Sequence, residues 1–149
     1  MKIHARRLTA LGRRQAGAQL ATLLVALFLT GCRPDRSSEQ LPIGNLDTPA
    51  PGVVATDVIR ISGWALAKSS ISRIDVYIDG KFLHSGDVGV TRPDVQQAYP
   101  KYQDALNSGF DFQVSLGSVA PGNHILTVQA RSSDDSVKEL ASIPVIVNR

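Results

Sequence analysis

One cysteine, Cys32, stands in 149 residues, so no intramolecular disulfide can form and no cysteine-based zinc site can be assembled. Stability has to come from packing. Aromatic residues make up only 5% of the chain, with a single tryptophan, which leaves few large rings for a stacking platform. Acidic residues are missing from the first 31 positions, where Lys2, Arg6, Arg7, Arg13 and Arg14 all lie. The net charge of +3 therefore belongs to the leader: from Cys32 onward 11 basic residues meet 13 acidic ones, a balance of −2. A folded part with that balance offers no phosphate-neutralising patch, and nucleic acid is not an expected partner.

A long apolar run is missing too. The run at residues 20–30 would span roughly 16 Å as a helix, about half the hydrocarbon thickness of a bilayer, so it is too short for a permanent membrane span. Cations, then a short apolar run, then small residues is the order of an export signal, expected over residues 1–31. The run ends Leu29-Thr30-Gly31-Cys32, which resembles the lipobox of bacterial lipoproteins. That resemblance implies cleavage between Gly31 and Cys32, acylation of the Cys32 thiol and a lipid-anchored chain, since two or more acyl chains hold a membrane stably where one does not. Arg33 rather than Asp after the cysteine implies, in a cell with two membranes, the periplasmic face of the outer membrane. Arg13-Arg14 lacks the apolar pair that usually follows in twin-arginine signals, which favours Sec export.

Residues 32–56 hold Pro34, Pro42, Pro49, Pro51, Gly44 and Gly52 without sustained periodicity, and read as a lipidated N-terminus and flexible linker. The alternative is that Val53 to Ala55 open an edge strand, which Pro51-Gly52 just ahead would permit. Over residues 57–149 the dominant signal has period two. Ile59 and Ile61 alternate with Arg60 and Ser62; Ile74, Val76 and Ile78 with Arg73, Asp75 and Tyr77; Phe110, Phe112, Val114 and Leu116 with Asp111, Gln113 and Ser115. Leu126, Val128 and Ala130 continue the pattern, and residues 137–147 make a last strand in which Pro144 marks an edge or a bulge. Asp79-Gly80 between two such runs is a strong two-residue hairpin signal. The fold class is all-β: an antiparallel β-sandwich of six or seven strands.

Residues 86–108 break this rhythm. They are too long for a hairpin loop, and Thr91 followed by Arg92-Pro93 could cap a short helix that Pro100 stops. Gly63-Trp64-Ala65, Val76-Tyr77-Ile78-Asp79-Gly80, Arg92-Pro93-Asp94-Val95, Tyr99-Pro100, Ser108-Gly109-Phe110 and residues 122–130 resemble bacterial immunoglobulin-like domains of envelope and secreted proteins. The resemblance implies an immunoglobulin-like sandwich with one long inserted loop or short helix, serving as an accessory module without catalysis.

Sharper chemistry finds little support. His84, Ser85 and Asp87 are the residue types of a hydrolase triad, but neighbours along one strand point to opposite faces and cannot form the relay, so no catalytic residue is expected. No calcium-loop spacing occurs among the aspartates, and no metal or cofactor is expected. Trp64 reads as core packing between the sheets. Arg92, Asp94, Tyr99 and Tyr102 are the candidate partner-binding residues, with two readings open: rings that stack on a sugar or peptide, or a loop pinned by Arg92 and an acid. The expected function is a lipid-anchored, non-catalytic envelope module for a protein or glycan partner. A carbohydrate-binding module for surface polysaccharide and a structural spacer are the alternatives.

Overall fold

A computed structural model describes residues 41–148. Cys32, Gly31 and the rest of the export signal lie outside the described residues. Eight strands are described: β1 Ile43–Thr48, β2 Val53–Ala55, β3 Val58–Leu66, β4 Ile71–Ile78, β5 Lys81–Gly86, β6 Gly109–Ser115, β7 Gly122–Ser132 and β8 Val137–Val147. A short helix, α1 Pro93–Ala98, and a 3-10 turn, Ala105–Asn107, lie between β5 and β6.

The strands form two sheets, one ordered β1-β3-β6 and the other β2-β8-β7-β4-β5. Alternation decides what lies between them. Ile59, Ile61 and Ala65 on β3 and Phe110 and Val114 on β6 face Ile74, Val76 and Ile78 on β4 and Leu126, Val128 and Ala130 on β7, and all are buried in one cluster. Each of these strands puts every second residue there, so a one-residue slip of register would move the whole apolar set to the outside. At the β4–β5 hairpin, Asp79 and Gly80 both take positive φ, 49° and 76°. Both signs suit the twist of the flanking strands.

The linker expected over residues 32–56 ends earlier than its composition suggests. From Pro42 onward the chain is part of the sandwich, with β1 antiparallel to β3 and β2 parallel to β8. The pairing of β2 with β8 is the departure from an all-antiparallel sandwich. Backbone pairing, not side-chain alternation, makes β1 a strand: its burial is partial, and Asn45 and Asp47 face solvent. Pro144 sits where β8 stops being an edge, its carbonyl accepting a hydrogen bond from the Gly52 N–H at 2.7 Å just before β2 begins. The bulge on β8 falls elsewhere, near Leu140.

Asp75 is the exception on the outer face. The alternation of β4 turns it outward, yet it is only 2% exposed. Arg73 Nε at 2.9 Å, Ser85 Oγ at 3.1 Å and Arg131 Nε at 3.4 Å all donate to its carboxylate. A carboxylate this covered requires such donors.

Candidate functional site

The irregular segment between β5 and β6 folds onto the outer face of the three-stranded sheet. Its two ends are closed by a bridge in which Val90 N–H donates to the Gly109 carbonyl and Gly109 N–H to the Val90 carbonyl, each at 2.9 Å. Pro93 opens α1 at a position where no N–H is needed, and Pro100 follows its C-cap, Tyr99. Thr91 does not cap this helix, as its position had suggested: Arg92 occupies the N-cap, without a side-chain cap hydrogen bond. The Arg92 N–H instead donates to the Leu106 carbonyl at 2.6 Å, tying the start of the helix to the 3-10 turn.

Beneath this segment lies a second apolar cluster, in which Leu66, Val95 and Ala105 are buried and Ile43, Trp64, Tyr99 and Tyr102 are partly buried. Trp64 is thus not core packing between the sheets. It shares the parity of Arg60 and Ser62, which turns it away from Ile59 and Ile61 and makes it the floor of the insertion. Its ring meets Tyr99 at 5.2 Å and 39°, and Tyr99 meets Tyr102 edge-on at 6.3 Å and 82°. Tilted and edge-to-face rings at these separations are mutually attractive.

Arg92 is committed within the fold. Its Nε and Nη2 donate to the two carboxylate oxygens of Asp94 at 3.0 and 2.8 Å, and its Nη1 donates to Asp47 on β1 at 2.7 Å. One planar fork thereby fastens the insertion to the first strand. The guanidinium hydrogen bonds hold the Asp94 carboxyl down at about 2, and the same carboxylates raise Arg92 above its ordinary value.

The four candidate residues therefore divide. Arg92 and Asp94 pair with each other, Tyr99 lies between two other rings, and Tyr102 alone opens onto a cleft. That cleft, about 580 Å³, is lined by Ala67 and Lys68 from the β3–β4 turn and by Lys101, Tyr102 and Gln103 from the insertion. Its volume lies within the few hundred to roughly 1,000 Å³ usual for small-ligand sites. A neighbouring hollow of about 200 Å³ is bounded by Ala65, Leu66, Val88, Gly89, Asp104 and Asn107, among others. Lys68, Lys101 and Gln103 were missed at the sequence level. Lys101 and Gln103 flank Tyr102, which was a usable signal; Lys68 arrives from another turn, and no local pattern announces it.

The remaining chemistry-bearing residues are held apart from one another or already paired. His84 packs against Phe112 at 5.5 Å, while the Ser85 hydroxyl donates to Asp75. His124 lies 2.7 Å through Nδ1 from an Asp79 carboxylate oxygen and 2.8 Å through Nε2 from the Ala120 carbonyl. Among the described residues no group of three or more His, Cys, Asp or Glu side chains is placed to hold a metal ion. No described helix is long and apolar enough to cross a membrane.

Solved structures are similar to this chain at low identity. A structure of Clostridium thermocellum CbhA fibronectin(III)-like modules is similar at 22% identity, over 72% of this chain and 47% of that one, with a TM-score of 0.47. The endo-beta-1,4-mannanase from Thermotoga petrophila is similar at 9% identity, over 72% of this chain and 20% of that one, with a TM-score of 0.50. The chain thus spans less than half the length of either. No curated protein matches. Residues 42–128, which run from the residue before β1 into the middle of β7, match the family model described as Bacterial Ig domain. That match takes in more than half of the chain and includes the strand that composition alone assigned to a linker; the chain belongs to the bacterial Ig domain family.

Proposed function

We propose that this protein is a lipid-anchored, non-catalytic module of the bacterial envelope that engages a protein or glycan partner through the insertion at residues 86–108. The anchor rests on the Leu29-Thr30-Gly31-Cys32 pattern behind a cationic, acid-free leader. The observation that carries the binding role is the insertion itself. A segment of this length could have been an open loop, yet it is pinned by Arg92 to Asp47, stacked on Trp64, and shaped into a cleft with the β3–β4 turn. Rigid placement lowers the ordering cost a partner would have to meet.

Site-specific photo-crosslinking in intact cells tests this reading, with the reactive group at Gln103 in the insertion and, as control, at Lys138 on β8. A partner adduct from position 103 and none from 138 is the expected result. Equal adducts from both positions, or none from either, would remove the insertion as the contact surface. Tyr102→Ala is the informative companion variant, because Tyr99→Ala also strips the packing over Trp64. Mass spectrometry of the membrane fraction checks the anchor: an acylated Cys32 at the mature N-terminus is expected, and an unmodified one refutes it.

A further inference from the structure

Among the described residues, the lining of the larger cleft is rich in hydrogen-bond donors and carries no carboxylate. Every arginine among the described residues is ion-paired: Arg60 with Asp111, Arg73 and Arg131 with Asp75, and Arg92 with Asp47 and Asp94. Lys101 differs. Like Lys81 and Lys138 it has no ion-pair partner among the described residues, and of these three it is the one that lines this cleft, to which Lys68 also contributes. Tyr102 and Gln103 line the same cleft, and the Tyr102 hydroxyl and the Gln103 amide are also without a hydrogen-bond partner among the described residues. An ammonium brings three donors, an amide two and a phenol one, so donors without a partner among the described residues share one cleft whose described lining holds no acid.

We propose that this cleft binds an acidic saccharide, with Lys101 taking the sugar carboxylate and Gln103 and Tyr102 taking its hydroxyls. The proposal rests on the reading that the insertion is the contact surface and names the ligand class for it. Charge selects the acidic sugar over a neutral one: neutral sugar hydroxyls donate as well as accept, and a site for them profits from carboxylate acceptors, which the described lining lacks. The half-buried Tyr102 ring selects a sugar over an acidic peptide, since a pyranose offers a C–H face to an aromatic ring while its hydroxyls reach the amide. The cleft has room for such a unit and is bounded by two separate chain segments, so recognition does not depend on a single loop.

Calorimetric titration of the full-length chain in a neutral detergent tests this, using an oligogalacturonate, a neutral oligogalactoside of equal length, and a polyglutamate peptide of matched charge. Saturable binding of the oligogalacturonate is expected, at least about tenfold tighter than the neutral sugar, and Lys101→Glu is expected to weaken it by about tenfold or more, as loss of a charge-assisted contact implies. Gln103→Ala should weaken it by a few-fold without changing the melting temperature. Equal binding of oligogalacturonate and polyglutamate, insensitive to Gln103→Ala, would reduce the effect to unspecific charge and overturn the proposal. So would equal binding of the neutral sugar, or no binding at all. If oligogalacturonate fails while position 103 still crosslinks to a partner in cells, the saccharide is refuted and the insertion remains the contact surface; loss of both removes both.

Discussion

His124 and Asp79 stand 45 positions apart in sequence and close one end of the sandwich together. Asp79 shapes the β4–β5 turn, accepts a hydrogen bond from the Ile125 N–H at 2.9 Å and meets His124 at 2.7 Å. The His124 ring, 13% exposed, has an acceptor at each nitrogen, a carboxylate and a carbonyl. Only the imidazolium carries N–H at both positions, so the fold favours the charged form. The Asp79 contact, followed by the Ala120 carbonyl, raises His124 above its ordinary value, and the Ile125 N–H, followed by His124, lowers Asp79. The histidine contribution to stability is therefore complete below about pH 6.5 and is lost as pH rises through the elevated folded value. The aspartate contribution is complete above its ordinary value and is lost as pH falls through the depressed one. Thermal melts from pH 5 to 9 should show a decline as pH rises above about 6.5 that is absent in His124→Gln. Identical pH profiles for the two proteins would refute the clasp. The hairpin role of Asp79 was legible from Asp-Gly between alternating runs. Its partnership with His124 was not, because nothing local links the two.

At the scale of elements, α1 and the 3-10 turn depend on what lies beneath them. A helix of six residues has little stability of its own, so tertiary contacts must hold it. Trp64 supplies those contacts through Tyr99, and Arg92 supplies the fastening to β1. Because Trp64 is the only tryptophan, its emission reports on this packing alone. Tyr99→Ala should red-shift that emission and loosen amide protection across residues 92–107, with the protection of β4 and β7 unchanged. Arg92→Lys, which keeps the charge and loses the planar fork, should loosen the same residues to a smaller degree. Protection lost equally throughout the sandwich would contradict a separately seated insertion. The period-two pattern of β3 already carried the correct facing of Trp64, since its parity is that of Arg60 and Ser62. What sequence could not show is that the outer face there is roofed. In the same way β1, with Gly44, Asn45 and Asp47 among its six residues, has a linker's composition and becomes a strand by pairing with β3.

For the molecule as a whole, the apolar alternation of β3, β4, β6 and β7 was enough to specify two packed layers, because a sheet with one greasy face must hide it against another. The order of strands within each sheet, and the sheet to which the first two strands belong, depended on pairings between distant segments. Those first strands divide their loyalty: β1 closes an edge of one layer, and β2 closes an edge of the other alongside β8. Chain entering at β2 and leaving at β8 runs in the same direction through neighbouring strands. Tension drawn between the two ends of such a pair pulls its members past each other lengthwise, so their cross-links share the load instead of tearing one after another. A domain built this way resists being drawn out when it is held at both ends of that pair. Stretching single molecules between positions 50 and 148 should give a high rupture force that Val54→Pro, which deletes a backbone donor from a strand of three residues, lowers markedly. A force unchanged by that substitution would place the resistance elsewhere in the sandwich.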